Sequence, residues 1–259
     1  MDLSNNPTLL IYVSVLLFIF GSIFGSFINC VAGRIVAGKD WIKGKSICEN
    51  CGHELGFLDL IPILSFVFLK GRCRYCHTKL SIRYVLVEIL MGILFVLCFL
   101  STKILDLYLI SKLALIVILV GLSLVDLDSY IIPDGFIIAG IINWIISIFF
   151  VTDKKSYVLS GLAGAFLIAG MILGLSLIMD KILKKESLGG GDVKLLFMVC
   201  LYLGPLSGML DLFLSCVIGL LFVIILKERK IAFGPSISIA TILVLFYGGP
   251  IINWYLGLF

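Results

Sequence analysis

LLIYVSVLLFIFGSIFGSFINCV, residues 9–31, contains no charged side chain. About 20 consecutive apolar residues cross the hydrocarbon core of a bilayer as a helix, so this run reads as a first membrane span. It is too long for the apolar part of a secretory signal, and Met1 to Thr8 hold no Lys or Arg, so no cleavable signal is expected. The pattern recurs along the chain. Of the 259 residues 61% are hydrophobic and 14% charged, with a mean hydropathy of +1.20, which excludes a soluble globular domain. The expected fold class is all-α, a polytopic membrane protein with about eight transmembrane helices. They are predicted near Leu9–Val31, Tyr84–Leu100, Leu107–Val125, Phe136–Val151, Tyr157–Met179, Val193–Leu203, Met209–Leu226 and Ile237–Leu258. Val193–Leu203 is short for a full crossing and is expected to tilt or to be extended by its neighbours. Gly161, Gly164, Gly170 and Gly174 predict close helix approach in the fifth span.

Orientation follows from where Lys and Arg sit. The break after the first span holds Arg34, Lys39, Lys43, Lys45, Lys70, Arg72, Arg74, Lys79 and Arg83. The break after the fifth holds Lys181, Lys184 and Lys185, and the one after the seventh Lys227, Arg229 and Lys230. The opposite side has only Lys103, Lys112, Lys154 and Lys155. These breaks are therefore expected in the cytoplasm, with both termini outside. The chain divides into a first transmembrane helix (1–32), a cytoplasmic loop (33–83) and a transmembrane core (84–259).

The loop contains Cys48-Glu49-Asn50-Cys51 and Cys73-Arg74-Tyr75-Cys76. Two C-x-x-C knuckles about twenty residues apart offer four soft thiolates to one tetrahedral zinc. Two disulfides or four free thiols are the alternative, and the reducing cytoplasm disfavours disulfides. Four cysteines close the coordination shell, so a zinc held by Cys48, Cys51, Cys73 and Cys76 would be structural. His53 and His77 are read as surface or supporting groups rather than ligands. Cys30, Cys98, Cys200 and Cys216 lie in apolar runs and read as small buried hydrophobes.

Two carboxylate clusters stand at membrane boundaries. Leu188-Gly189-Gly190-Gly191-Asp192-Val193-Lys194 places an acid behind three glycines, which remove side chains around it and widen the backbone conformations available. Asp126-Leu127-Asp128 ends the third span, and Ile132-Pro133-Asp134 reads as a helix restart with Asp134 near the N-terminal dipole. Asp126 is the acid nearest the membrane end of its span, while Asp128 falls on roughly the opposite face. If the third and sixth helices pack side by side, Asp126 and Asp192 meet and share a proton. One would then activate water while the other protonates a carbonyl oxygen. A flexible turn with a surface acid, or a transporter whose two aspartates carry ions, fits the same residues.

With these motifs the chain resembles the bacterial type IV prepilin peptidases, membrane aspartic proteases of the G-x-G-D class. Gly25-Ser26-Phe27-Ile28-Asn29, Gly71-Arg72-Cys73-Arg74-Tyr75-Cys76 and Ser81-Ile82-Arg83-Tyr84 with Glu88 carry the resemblance. Asp126-Leu127-Asp128, Ile132-Pro133-Asp134, Gly189 to Lys194 and Phe233-Gly234-Pro235 complete it. It implies that Asp126 and Asp192 are catalytic, with Gly189, Gly190, Gly191 and Lys194 supporting them. It also implies prepilin and pseudopilin substrates cleaved after a glycine at the cytoplasmic boundary of a bacterial inner membrane. N-methylation of the new amine with S-adenosylmethionine is implied by the resemblance alone. Val85 and Ser236 depart from the usual proline and bulky apolar residue.

The remaining polar residues read more plainly. Glu88 is expected to pair with Arg83, bind a substrate amine or assist methyl transfer, and Asn29 to hydrogen-bond between helices. Lys194 would favour the charge on Asp192 or reach to the interface; Asp180 and Glu186 read as a solvated boundary. Membrane lipids surround the protein, and no nucleic-acid partner is expected. Presenilin-like or signal-peptide-peptidase-like cleavage within a helix is disfavoured by the cysteine loop, and a bare membrane scaffold would leave the Asp192 turn unexplained.

Overall fold

The computed structural model describes residues 6–41, 44–48, 50–184, 189–227 and 231–257. Lys43, Glu49, Lys185, Glu186, Leu188, Arg229, Lys230 and Leu258 lie outside the described residues, as do residues 1–5. The chain forms two compact units, Met1–Leu109 and Ile110–Phe259. Among the described residues no strand forms beyond isolated bridges at Ile47–Glu54 and Arg72–Lys79. The all-α membrane class holds.

The first unit contains α1 (Pro7–Val36), a 3₁₀ turn at Phe57–Asp59, α2 (Leu64–Phe68) and α3 (Ile82–Thr102). Asn6 caps α1 by accepting from the Leu9 amide at 3.2 Å, ahead of a proline whose missing N–H costs nothing at that position. Ser81 caps α3 in the same way. The two long helices run antiparallel and meet through glycine: a Cβ at Gly21 would lie 2.6 Å from the Met91 carbonyl, and one at Gly25 2.8 Å from the Glu88 Cα. One turn further along α1, Asn29 Nδ2 donates to the Tyr84 carbonyl at 3.2 Å, the interhelical bond its position predicted. In lipid such small residues and polar bonds hold helices together, since burial from water does not.

The second unit contains α4 (Leu107–Ser129), α5 (Asp134–Ser147), α6 (Lys154–Leu183), α7 (Gly190–Leu226) and α8 (Gly234–Leu256). Asp106 and Asp153 cap α4 and α6. α7 is not one rod. At 1.5 Å per residue an unbroken helix would separate Cys200 and Gly208 by about 12 Å. Yet a Cβ at Gly208 would sit 2.9 Å from the Cys200 sulfur. The arms 190–203 and 205–226 therefore fold back on each other at Gly204, whose φ of 73° and ψ of −173° suit only glycine, with Pro205 opening the second arm. Two predicted spans are thus one hairpin, and its short first arm begins at Gly190 rather than Val193.

Among the described residues, six helices are long and apolar enough to cross a membrane when α7 is taken as one, and α5 has 14 residues. Separating the arms of α7 and adding α5 accounts for the predicted segments. The glycines of α6 divide in two. Gly161 and Gly164 press against the Leu201 carbonyl and Gly204, whereas Gly170 and Gly174 meet nothing within 4 Å, so the expected close approach is confined to the first half. α5 is held by Asn143, which donates to the Ser111 carbonyl and the Tyr202 hydroxyl at 2.9 Å each, and by Tyr202, which donates to the Gly140 carbonyl at 2.6 Å.

Replacing Gly204 should be the most damaging glycine change in the second unit. Gly204→Ala is expected to cost about 1–3 kcal/mol through its backbone conformation, more because Ser160 leaves no room for a Cβ. A thermal melt in detergent reads this as a lowered midpoint; an unchanged midpoint would contradict the hairpin.

Candidate active site and metal centre

α4 delivers Asp126 to the end of the bundle with 4% of its surface exposed. Its Oδ2 accepts the Gly234 N–H at 2.9 Å, so the carboxylate sits on the N-terminus of α8, where orphan amides and the helix dipole stabilise negative charge. Asp128, two residues on, is exposed. After Ser129 the chain turns through Tyr130, whose φ is 54°, and continues through Ile132 to Pro133. Ile132 packs under the site: a Cβ at Gly191 would lie 3.1 Å from the Ile132 Cβ, and one at Gly234 3.4 Å from its Cδ1 and 2.6 Å from the Asp126 carboxylate.

Asp192 lies in the first turn of α7, inside the helix rather than before it. It is close enough to Asp126 for that charge to act on it. The three glycines before it are not equivalent. A Cβ at Gly189 would come within 3.2 Å of the Asp192 carboxylate, Gly191 faces Ile132, and Gly190 meets nothing within 4 Å. Gly189 has an ordinary φ of −66°, and none of the three has a positive φ. These glycines are needed for space, not for the backbone freedom expected of them. The alternation explains a G-x-G-D pattern in which the middle residue is free to vary.

Lys194 does not turn to Asp192. Its Nζ meets Asp134 Oδ1 at 2.7 Å, tying α7 to α5, and with side chains 56% and 65% exposed the pair is screened by water. Such exposed pairs contribute at most about 1 kcal/mol. Asp134 stands in the first turn of α5 behind the N-cap Pro133, where a carboxylate interacts favourably with the helix dipole.

In the first unit the sulfurs of Cys48, Cys51, Cys73 and Cys76 all lie within 4.8 Å of one another, a set able to hold a metal ion. Cys48 and Cys76 are 3.8 Å apart, the tetrahedral edge that zinc–sulfur bonds of about 2.3 Å require. Each knuckle is built alike. The Gly52 amide donates to Cys48 O and the His77 amide to Cys73 O, with Gly52 and His77 both at positive φ (69° and 57°). His77 is thus a turn residue, and His53 stacks on Tyr75 with ring centroids 3.6 Å apart; neither joins the sulfur cluster. The Thr78 hydroxyl and amide hold the Cys76 thiol down at about 5. Cys51 receives the His53 amide, but burial and the neighbouring Cys48 and Cys76 sulfurs push it up to about 11. Four sulfurs so close together can all ionise only with a cation to offset their charge. Burial alone would raise Asp59, yet the Gly56 amide, Arg74 at 2.6 Å and Tyr75 outweigh it and hold its carboxyl below the usual range, pinning the second knuckle to the 3₁₀ turn.

Glu88 is 8% exposed on α3. Its carboxylate accepts the Ile63 N–H at 2.7 Å and takes a bond from Ser26. Ile63 has φ 63° and ψ −52°, and the Leu64 amide donates to Pro62 O at 2.6 Å, a γ-turn that a β-branched residue adopts only under strain. Beside it, between α1 and residues 57–64, lies a cavity of about 930 Å³ lined by Ser26, Phe27, Arg34, Trp41 and Phe57.

Apolar helices long enough to cross a bilayer, with two neighbouring acids at one end and a cysteine cluster in the first unit's polar loop, define a polytopic membrane protein. The chain belongs to the type IV leader peptidase family. Residues 113–224 match the family described as "Type IV leader peptidase family", and residues 19–102 match the "Bacterial Peptidase A24 N-terminal domain". It is 32% identical to the prepilin leader peptidase/N-methyltransferase of Aeromonas salmonicida, over 93% of each chain. It is 29% identical to the protein of that name from Bacillus subtilis, over 93% of this chain and 97% of the other. It is 35% identical to that of Myxococcus xanthus over 73% of this chain, an alignment that spans 56% of that relative's length. No solved structure matches.

Three residues here were missed or only touched in the sequence. The Gly234 amide was quoted within Phe233-Gly234-Pro235 without a role. Ile132 carries no chemical signal at all. Asp211 did carry one, as an acid within the apolar run Met209–Leu226.

The glycine pattern gives a direct check. Gly190→Ala should be neutral or stabilising by about 0.5 kcal/mol, while Gly191→Ala should lower the melting midpoint by displacing Ile132. Equal effects of the two substitutions would contradict the packing.

Proposed function

We propose that this chain is a prepilin peptidase that cleaves the basic leader of prepilins and pseudopilins with Asp126 and Asp192, and then methylates the new N-terminal amine. The observation that carries the reading is the pairing of these two acids beside the Gly234 amide at the start of α8. Two neighbouring carboxylates resist ionising together and hold one proton between them. The Gly234 N–H supports the negative charge on Asp126, which makes Asp126 the base that takes a proton from the attacking water. Asp192 supplies the proton to the scissile carbonyl oxygen, and no covalent intermediate forms. A side chain at Gly189 would press on the Asp192 carboxylate and one at Gly191 on Ile132, so these two glycines let the pair and its neighbours close up, and the open side of the turn is at Gly190. The names of the relatives support the substrate class and the second activity.

The basic breaks Lys181–Lys185 and Lys227–Lys230 flank the helix ends that carry Asp192 and Gly234. By the positive-inside rule they support an active site at the cytoplasmic boundary of a bacterial inner membrane, with both termini outside. There a basic leader meets the acids while its apolar helix stays in lipid. The proposed division is a first membrane helix over 1–32, a zinc-stapled loop over 33–83 and the peptidase core over 84–259. Zinc held by Cys48, Cys51, Cys73 and Cys76 would brace that loop and leave no open position for chemistry.

For methylation, the cavity between α1 and residues 57–64 is within the range of small-ligand sites and suits S-adenosylmethionine. Arg34 would hold the carboxylate of the donor, and the aromatic side chains of Phe27, Trp41 and Phe57 its adenine. The donor supplies a methyl group from its sulfonium to the neutral amine. Glu88 and Ser26 hold the γ-turn that forms one wall.

Intact-mass measurement of a basic-leader prepilin co-expressed with the protein tests the peptidase. Loss of the leader is expected with wild type and not with Asp192→Asn or Asp126→Asn; turnover near normal in either variant would sink the pairing. Arg34→Met is expected to yield cleaved product lacking the added methyl mass. Fully methylated product from that variant would remove the donor from this cavity.

A further inference from the structure

Asp211 lies in the second arm of α7 with no exposed surface, in a helix pair surrounded by lipid-facing side chains. An ionised carboxylate there would lack compensation. Among the described residues, the groups that act on it are the Thr241 hydroxyl and the Cys200 thiol; no charged side chain does. Its Oδ2 has no hydrogen-bond partner. Burying an unpaired charge in this way costs several kcal/mol, and the usual escape is to keep the proton.

The geometry at Thr241 points the same way. Its Oγ1 lies 2.9 Å from Asp211 Oδ1 and 2.8 Å from the Ile237 carbonyl one turn back. A threonine hydroxyl has one hydrogen, and it cannot serve two acceptors fully. If that hydrogen goes to Ile237, as threonines in helices commonly arrange, the second bond needs a hydrogen from Asp211. A protonated Asp211 donates to Thr241, Thr241 donates to Ile237, and both distances are satisfied.

We propose that Asp211 is a neutral, proton-holding carboxylic acid that sets the axial position of α8 and thereby places the Gly234 amide on Asp126. Gly234, Ser238 and Thr241 stand at i, i+4 and i+7, so they share one face of α8. About 10 Å of helix separates the two ends of that face. At one end Thr241 is clamped to Asp211; at the other Gly234 donates to the carboxylate assigned as base. Apolar helix surfaces in lipid specify sliding position weakly, and a polar clamp supplies what they lack. Asp211 is therefore a positioning residue: it touches neither the reacting acids nor the substrate.

This inference rests on the peptidase reading for its kinetic readout, and a spectroscopic readout stands apart from it. In the purified full-length protein the infrared carbonyl stretch of protonated carboxylic acids should contain a component that is lost in Asp211→Asn and kept in Asp192→Asn. In the cleavage assay Asp211→Asn should keep wild-type kcat, since its amide N–H donates to Thr241 in place of the acid. Asp211→Leu and Thr241→Val should each lower kcat about tenfold to a hundredfold with KM unchanged, and the double variant should be no worse than either. Thr241→Val keeps the test open if Asp211→Leu fails to fold. Loss of kcat in Asp211→Asn equal to that in Asp211→Leu, or wild-type kcat in Thr241→Val, would overturn the proposal. An infrared spectrum unchanged by Asp211→Asn would also overturn it, whereas the expected infrared change in a protein that cleaves no prepilin would count against the peptidase reading alone.

Discussion

The bond from the Gly234 amide to Asp126 Oδ2 ties together the parts of the second unit that matter for chemistry. Inside a bilayer a polar group must find its partner within the protein. A carboxylate at the end of α4 and the first amide of α8 each lack one until they meet. Gly234 can make that approach because it has no side chain, and Ile132 fills the space beside it. The same isoleucine sits against Gly191, so one side chain spaces the starts of α7 and α8 around the acid that ends α4.

Carboxylates do this work more than once. Glu88 accepts the Ile63 amide and holds a strained γ-turn, Asp59 accepts the Gly56 amide below the second cysteine knuckle, and Asp126 accepts Gly234. Charge-assisted bonds of this kind contribute about 1.5–3 kcal/mol each, enough to fix a segment that apolar contact alone would leave loosely placed. Exposed pairs such as Lys194–Asp134 have the same geometry and little of the energy, because water screens them. Burial separates the bonds that position from those that decorate.

Much of the fold was legible because a bilayer restricts what a chain can do. Uninterrupted apolar runs announced the helices, and two C-x-x-C pairs announced a cluster whose sulfurs do lie within 4.8 Å. Asp126 and Asp192 were legible as acids where acids are costly. The partners of these groups were not. Lys194, two residues from Asp192, turns to Asp134 sixty positions earlier in the chain; Glu88 takes the Ile63 amide from twenty-five positions earlier. Asp211 is as visible as Asp126 by the rule for buried acids, but no motif surrounds it to suggest a role.

Sequence alone therefore determined the all-α membrane class, the approximate spans, the cysteine cluster and the two acids, since each depends on residue type and local spacing. Tertiary structure decided that α7 doubles back at Gly204, that Gly189 and Gly191 are closely packed while Gly190 is open, and that Gly234 carries the amide for Asp126. Those facts depend on which backbone passes within a few ångströms of which side chain. That distance is set by helices packing across many residues of sequence, and no local pattern records it.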